Sequence, residues 1–322
     1  MKPHIALITG ATGFVGYHLT KKLLAEGWNI HLLVRQSSNT QKLKTLLPPP
    51  VLHVCDEDMK ELVKIMEMVN PEIVFHLATQ FTTTDEPNQI ESLIRSNILF
   101  GARLLEAMKE AQVRYFVNAG TYWQHYKGKD YNPVDFYAAT KQAFEDILYC
   151  YTLATDIRVV TLKLFDVFGP EDTRNKLFNL LEKTDQTGEA LAMTPGEQYL
   201  DLVYIDDVVS AFRHTAELLF SGKVSSPGES YAVSSGRHIR LKEVVRTYDR
   251  IKGKRLNIQW GAKPYRKREV MKPWKGKSLP GWKALVDLET GIRLMLDTAR
   301  NKSNNSTSDS CCQHQGLSYV ST

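Results

Sequence analysis

The stretch that most constrains the fold is Ile5-Ala6-Leu7-Ile8-Thr9-Gly10-Ala11-Thr12-Gly13-Phe14-Val15-Gly16-Tyr17-His18-Leu19. An apolar run ends at Thr9, glycines follow at 10, 13 and 16, and apolar residues then recur at helical spacing (Val15, Leu19, Leu23, Leu24). This pattern predicts a buried strand, a tight turn and a helix whose N-terminus faces the turn. Gly10 lets the chain reverse, Gly13 removes a side chain that would block a phosphate, and Gly16 lets the helix pack closely on the strand. The unpaired N–H groups and positive dipole end at the helix start suit a pyrophosphate. The spacing is G-x-x-G-x-x-G rather than G-x-G-x-x-G.

The pattern that follows alternates strands with helices. Trp28 to Val34 predicts a second strand, Val51 to Val54 a third after the Pro48-Pro49-Pro50 loop, and Ile73 to Ala78 a fourth. Tyr115 to Ala119 predicts a fifth, with helices over Glu61 to Val69 and Glu91 to Ala111 between them. The implied fold class is α/β, a Rossmann-type doubly wound parallel sheet. The second strand ends at Arg35, with Ser37 and Ser38 close by and no carboxylate. An acidic residue there would bind the ribose 2′-hydroxyl of NAD, whereas a basic residue accommodates the 2′-phosphate of NADP, so NADP(H) is expected over NAD. Asp56, ending the third strand, is placed either to touch an adenine edge or to cap the next helix. His76, inside an apolar run, reads as a core histidine.

With 322 residues, 43% of them hydrophobic, the chain can bury a full core in one large domain or two. The net charge of +5 is mild and the basic residues are spread out, except between Lys263 and Lys277, so nucleic acid is not an expected partner. No apolar run has transmembrane length and no signal peptide is recognisable, which makes a soluble, cytoplasmic protein the expectation. Cys55 and Cys150 sit in apolar patterns and read as reduced core residues. Cys311 and Cys312 are adjacent, and no metal-ligand spacing is present. Asn301 to Thr322 is rich in Ser, Asn and Thr without periodicity and reads as a disordered tail.

Thr121 follows the fifth strand, at the sheet edge where ligands bind in open α/β folds. Beyond it, Tyr137 and Lys141 form an i, i+4 pair on one helix face. A tyrosine with pKa near ~10 is a poor acid or base at neutral pH, and a neighbouring ammonium lowers that pKa by favouring the phenolate.

Thr9-Gly10-x-x-Gly13-x-x-Gly16 together with Tyr137-x-x-x-Lys141 resembles the extended short-chain dehydrogenase/reductases, the nucleotide-sugar epimerase, dehydratase and reductase group. The resemblance spans about residues 4 to 298 and includes Leu162 to Pro170, Tyr204 to Val208 and Leu279 to Ile292. It implies a cofactor domain over 1–170, to which later segments return, and a smaller, mainly substrate-binding region over 171–298, with 299–322 as tail. It also implies a homodimer built on the long helix and the Tyr137 helix. Tyr137 would be the acid/base, Lys141 would hold the nicotinamide ribose and tune Tyr137, and Thr121 would hydrogen-bond the reacting oxygen. Gly10, Thr12, Gly13, Phe14, Val15, Gly16, Arg35, Asp56, Leu77 and Ala78 would line the cofactor. Thr121, Lys176 and Arg268 would contact the substrate, Arg268 gripping its diphosphate. Asp166 stands where the family usually has asparagine, and Leu200 where many relatives have arginine.

Three reactions compete within that group. A 4,6-dehydratase needs an extra acid and base after Thr121, where Tyr122 and Trp123 stand instead. A 4-epimerase keeps NAD tightly bound. Arg35 favours exchangeable NADPH, and hence reduction of the 4-keto group of a nucleotide-linked 4-keto-6-deoxy sugar, in the manner of abequose- or fucose-forming reductases. The non-enzymatic alternative is an NADP-binding regulator or scaffold.

Overall fold

The computed structural model describes residues 3–56, 58–82, 87–224, 227–298 and 300. The tail from Asn301 onward, with Cys311 and Cys312, lies outside the described residues. The first half runs β1 (Ile5–Thr9), α1 (Phe14–Ala25), β2 (Asn29–Val34), α2 (Gln41–Lys44), β3 (Val51–Val54), α3 (Met59–Val69) and β4 (Ile73–His76). Then come α4 (Ile90–Ile94) and α5 (Phe100–Glu110), followed by β5 (Tyr115–Thr121), α6 (Phe136–Ala154) and β6 (Arg158–Leu164). The remainder is β7 (Asp166–Phe168), α7 (Leu177–Thr187), β8 (Leu191–Met193), β9 (Tyr199–Tyr204), α8 (Ile205–Phe220), β10 (Glu229–Val233), β11 (His238–Arg240), α9 (Leu241–Lys252) and β12 (Ile258–Trp260). Residues 288–298 are helical.

The main sheet has seven strands in the order β10-β6-β5-β4-β1-β2-β3, every neighbouring pair parallel. It is the doubly wound sheet expected from the alternating pattern. Each strand alternates its side chains between two cores. Ala6, Ile8, Ile30, Leu32, Phe75, Val117, Val160 and Leu162 share one core with Leu19 and Leu23 of α1 and Phe212 and Ala216 of α8. Leu7, Leu33, Val74, Phe116 and Val159 share the other with Leu62 and Met66 of α3, Leu104 and Met108 of α5, and Phe144 of α6. Burial on both faces is why the strands read as continuous apolar runs. Two small sheets, β11-β9-β7 and β12-β8, sit apart from the main one.

Strand order reverses between β1 and β4, so the connections leave this pair in opposite directions and open a crevice at their carboxyl ends. The chains approach closely there. A Cβ on Gly10, whose φ is +74°, would lie 2.5 Å from the backbone nitrogen of Ala78. The Ala78 N–H donates to the Thr9 hydroxyl at 3.2 Å, and Thr9 Oγ1 also meets His76 Nδ1 at 2.9 Å. His76 is fully buried between Phe100, Phe116 and Phe144, a core histidine with Nδ1 met by Thr9 and Nε2 without a hydrogen-bond partner among the described residues.

Three local readings differ from the structure. The single helix expected over Glu91 to Ala111 contains a π-helical turn at Arg95–Leu99. That turn carries the buried Asn97, which accepts hydrogen bonds from the Thr79 hydroxyl and the Gln80 N–H and donates to Thr140 Oγ1; such turns let one helical side chain satisfy partners that a regular helix would miss. Thr121 is the last residue of β5 rather than the first of a loop. Cys150 is exposed, because Tyr137, Lys141, Phe144 and Leu148 define the buried face of α6 and residue 150 falls outside it.

Gly16 carries the tightest turn contact, since a Cβ there would lie 2.2 Å from Gly10 O, whereas one on Gly13 would meet the same atom at 3.3 Å. Gly16→Ala should therefore destabilise the protein by ~1–3 kcal/mol, the usual range for overpacking, and Gly13→Ala by less. Urea unfolding of both variants checks the ranking; equal stabilities would show that the turn relaxes freely.

Candidate active site

A cavity of about 1090 Å³ opens along the carboxyl edge of the main sheet. It exceeds the ~300–1,000 Å³ of an ordinary small-molecule site, leaving room for two ligands end to end. One end is lined by Gly10, Thr12, Gly13, Phe14, Val15 and Gly16, with Arg35, Ser38 and Cys55 beyond them and Leu77 and Ala78 across the crevice. Helix α1 begins at Gly13 with no side-chain cap, so its first N–H groups are directed at the cavity rather than occupied by a hydroxyl or carboxylate. A donor set of backbone N–H groups, glycines and a dipole end fits a dinucleotide pyrophosphate. Arg35 sits where the adenosine ribose would end. Asp56 does not cap α3, a role that Asp58 takes; its carboxylate accepts the Gln36 N–H at 3.0 Å, tying the ends of β2 and β3 together, while Cys55 lines the cavity.

The middle of the cavity holds Thr121 and Tyr137. Helix α6 begins at Asp135, whose carboxylate accepts the Ala138 N–H at 2.8 Å, and this cap places Tyr137 in the first turn with its ring in the cavity wall. Lys141 lies one turn further on the same face and is only 2% exposed, beneath the wall rather than in it. Thr121 accepts the Trp123 N–H through its hydroxyl, and its own N–H donates to Gln124 Oε1 at 3.0 Å.

The electrostatics differ from the simple expectation for a Tyr-Lys pair. Burial pushes Tyr137 up to about 12, with a hydrogen bond to Thr79 and the charge of Arg174 only partly offsetting it. Burial likewise draws Lys141 down to about 8. Both groups are desolvated together, and the protein groups alone hold the phenol protonated. The raised value keeps the phenol in its acid form and makes it a weaker acid than a free tyrosine.

The far end is cationic and aromatic. Lys176 and Arg266 line it, with Phe81, Tyr122, Trp123 and Phe165, while Arg174 lies over the Phe14 ring at 4.6 Å and pairs with Asp172. Lys176 Nζ sits 4.1 Å from the centre of the Phe81 ring, and the Arg266 guanidinium 4.8 Å from that of Trp123. Phe81 meets the Tyr137 ring edge-on at 5.0 Å. Asp166 also faces the cavity, accepts the Tyr122 hydroxyl at 3.0 Å, and is raised by burial against the pull of Lys176. Arg268 is placed elsewhere: its guanidinium donates to Val134 O at 3.1 Å, Asn132 Oδ1 at 2.6 Å and Pro133 O at 2.8 Å. These bonds pin the 132–134 loop ahead of α6 and keep the arginine out of the cavity lining. Between the two arginines, the structure puts Arg266 at the cavity and Arg268 in the scaffold. Thr79, Phe81 and Arg174 also line the cavity, within the stretches Thr79 to Thr84 and Arg174 to Phe178 where the sequence places substrate selection.

The family described as NAD dependent epimerase/dehydratase matches residues 6–232. Among curated proteins, the CDP-abequose synthase of Salmonella muenchen is 29% identical over 90% of this chain and 96% of its own length. UDP-glucuronate 4-epimerase 1 of Arabidopsis thaliana is 25% identical over 89% of this chain and 74% of its own. Among solved structures, a UDP-glucose 4-epimerase from Thermotoga maritima, crystallised with UDP-glucose, superposes with a TM-score of 0.79 at 24% identity, covering 93% of this chain and 99% of that one.

The burial of Tyr137 has a measurable consequence. In the protein alone its phenol should stay protonated until well above pH ~10, the value of a free tyrosine. A difference ultraviolet titration, wild type minus Tyr137→Phe, should isolate a phenolate band with its midpoint near 12. A midpoint below that of a free tyrosine would mean that the Lys141 charge, not burial, governs the site.

Proposed function

The chain belongs to the NAD dependent epimerase/dehydratase family, and on that premise we propose that it is an NADPH-dependent reductase of the 4-keto group of a nucleotide-linked 4-keto-6-deoxy sugar. The observation that carries this reading is one cavity in which Tyr137 and Thr121 lie between the glycine turn, with Arg35 beyond it, and a region where Lys176 and Arg266 stand against aromatic rings. The match to abequose synthase along most of both chains supports the substrate class.

The glycine turn and the N-terminus of α1 would hold the pyrophosphate of the cofactor, and Arg35 would pair with its 2′-phosphate. A bound nicotinamide supplies the hydride that reaches the sugar C4. Tyr137 donates its proton to the carbonyl oxygen as that oxygen gains charge, so the carbonyl π bond gives way to one C–H and one O–H bond while the C–O single bond stays. Thr121 hydrogen-bonds the same oxygen and orients it. The Lys141 ammonium, in water-poor surroundings, stabilises the phenolate that Tyr137 becomes until solvent returns the proton. Arg266 and Lys176 offer charge-assisted hydrogen bonds to the substrate diphosphate. The aromatic wall of Phe81, Trp123 and Phe165 suits a sugar face that carries a methyl group rather than a hydroxymethyl. Tyr122 and Trp123 occupy the two positions after Thr121, where a 4,6-elimination would need its additional acid and base.

The protein is proposed to act as a homodimer through the long helical stretch from α4 to α5 and through α6; Ile90 and Ile94 of α4, Leu99 of the π-helical turn, and Tyr149 and Leu153 of α6 are exposed. A second reading, 4-epimerisation with retained NAD, draws on the epimerases among the relatives.

Two experiments test the proposal. NADPH with a panel of nucleotide-linked 4-keto-6-deoxy hexoses should be oxidised stoichiometrically to one 4-hydroxy product, and Tyr137→Phe should lower turnover by on the order of 10² or more while NADPH still binds. Protein purified with NAD already in place, interconverting 4-hydroxy sugars with no net oxidation, would instead establish the epimerase. Separately, Arg35→Asp should weaken NADPH binding far more than NADH binding, because it exchanges attraction for repulsion at the 2′-phosphate. An unchanged ratio of the two dissociation constants would remove Arg35 from cofactor selection.

A further inference from the structure

Behind Tyr137 lies a buried charge cluster that the proposed chemistry does not use directly. Glu145 stands one helical turn beyond Lys141 on α6. Its Oε2 accepts the Lys163 ammonium of β6 and, at 2.6 Å, the amide Nε2 of Gln124. The same Nε2 reaches Gln142 Oε1 at 2.8 Å, and the other end of Gln124 accepts the Thr121 N–H at 3.0 Å. Gln124 is fully buried, and Lys163 is only 2% exposed.

Lys163 is out of place by the usual rules. It lies in a central parallel strand among Val159, Val160, Thr161, Leu162 and Leu164, where charge is expensive. A buried ion pair gives little net stability, so its presence calls for a reason other than holding the fold. The neighbouring strand is shaped to admit it. A Cβ on Gly120 would lie 2.8 Å from Thr161 Cγ2, 3.1 Å from Gln124 Oε1 and 3.3 Å from Lys163 Cδ.

We propose that the Glu145–Lys163 pair is a positioning device that sets the charge on Lys141 and, through Gln124, fixes the backbone of Thr121. This rests on the reading of Tyr137 and Lys141 as the proton-transfer pair. The two members of the device act on Lys141 in opposite senses: the Glu145 carboxylate favours its ammonium form and the Lys163 ammonium opposes it. The other groups facing the cluster leave this balance to the pair. His76 of β4 is held neutral, drawn down to about 3 by burial and by Lys141 itself. Tyr137 on α6 is protonated. Asp146 acts on Lys163, and His125, itself lowered by burial, faces Lys163 and Glu145.

The opposed signs make the proposal testable. Glu145→Gln keeps an amide against Gln124 but leaves Lys163 facing Lys141, so the Lys141 ammonium should be lost at lower pH. Lys163→Met leaves Glu145 with Lys141 as its remaining buried cation, so the ammonium should persist to higher pH. Each shift should be on the order of one pH unit, and the double variant should return toward wild type. The readout is the titration of the Lys141 side chain, observed by NMR on protein carrying ¹³C at lysine Cε and assigned by its loss in Lys141→Met. The alkaline limb of kcat/KM for keto-sugar reduction should move the same way. Because a merely structural pair would destabilise both single variants without moving the midpoint in opposite directions, thermal unfolding is recorded alongside. Midpoints that move together, or not at all, overturn the proposal. If no keto sugar is turned over, the functional reading fails on that assay, while the NMR titration still decides the role of the pair. Should Lys163→Met not fold, Glu145→Gln against the double variant decides it: a lowered midpoint restored by the second substitution supports the pair, and an unchanged midpoint refutes it.

Discussion

The structure depends on a close contact between backbones at the point where the sheet reverses its strand order. Gly10 approaches the start of the chain after β4 so nearly that no side chain fits between them. The Thr9 hydroxyl completes the junction by accepting the Ala78 N–H and meeting the buried His76. This junction sets the distance across the crevice, and through it the relation between the N-terminus of α1 and the Tyr137 helix. The glycines are the cost of the junction in conformational entropy, and the uncapped helix start is what they make available to an anion.

A second constraint is desolvation. Tyr137, Lys141, Lys163 and Gln124 are all nearly inaccessible. In such surroundings a proton moves only where a partner is already aimed, and charges act at a strength that water would remove. Burial raises the Tyr137 phenol and lowers the Lys141 ammonium together, and Glu145 and Lys163 act on that lysine in opposite senses. Arg268 serves a different purpose, holding the loop that leads into α6. The site is therefore supported from the back by a charge network and from the side by an arginine clamp.

Much of this was legible in the chain. Apolar runs of four to six residues separated by helical periodicity identify a parallel sheet because both faces must be covered, and the structure has that sheet with the strands where the runs are. The glycine turn, Tyr137 and Lys141 are local patterns whose spacing survives folding. Placement of individual side chains was less legible. Arg266 and Arg268 are two residues apart, and which one reaches the cavity is decided by a turn in which the Arg266 N–H meets Glu269 and by a loop more than a hundred residues earlier. The cap of α3 falls to Asp58, while Asp56 accepts the backbone N–H of Gln36 at the neighbouring strand end. Cys150 is exposed because residues 137 to 148 set the phase of the helix, a phase that cannot be read from one cysteine in an apolar stretch.

By itself, then, the sequence determined the alternation of strands and helices, the glycine turn at the head of α1 and the one-turn spacing of Tyr137 and Lys141, since each depends on neighbours within a few residues. Only the tertiary structure decided that Glu145 and Lys163 meet behind Lys141, that Gln124 carries their contact to Thr121, and that Arg266 rather than Arg268 faces the cavity. Those relations join α6 to β6 and the 266–269 turn to the end of β5. The positions are brought together by the twist and order of the sheet, and their charge states follow from burial that no local window of residues contains.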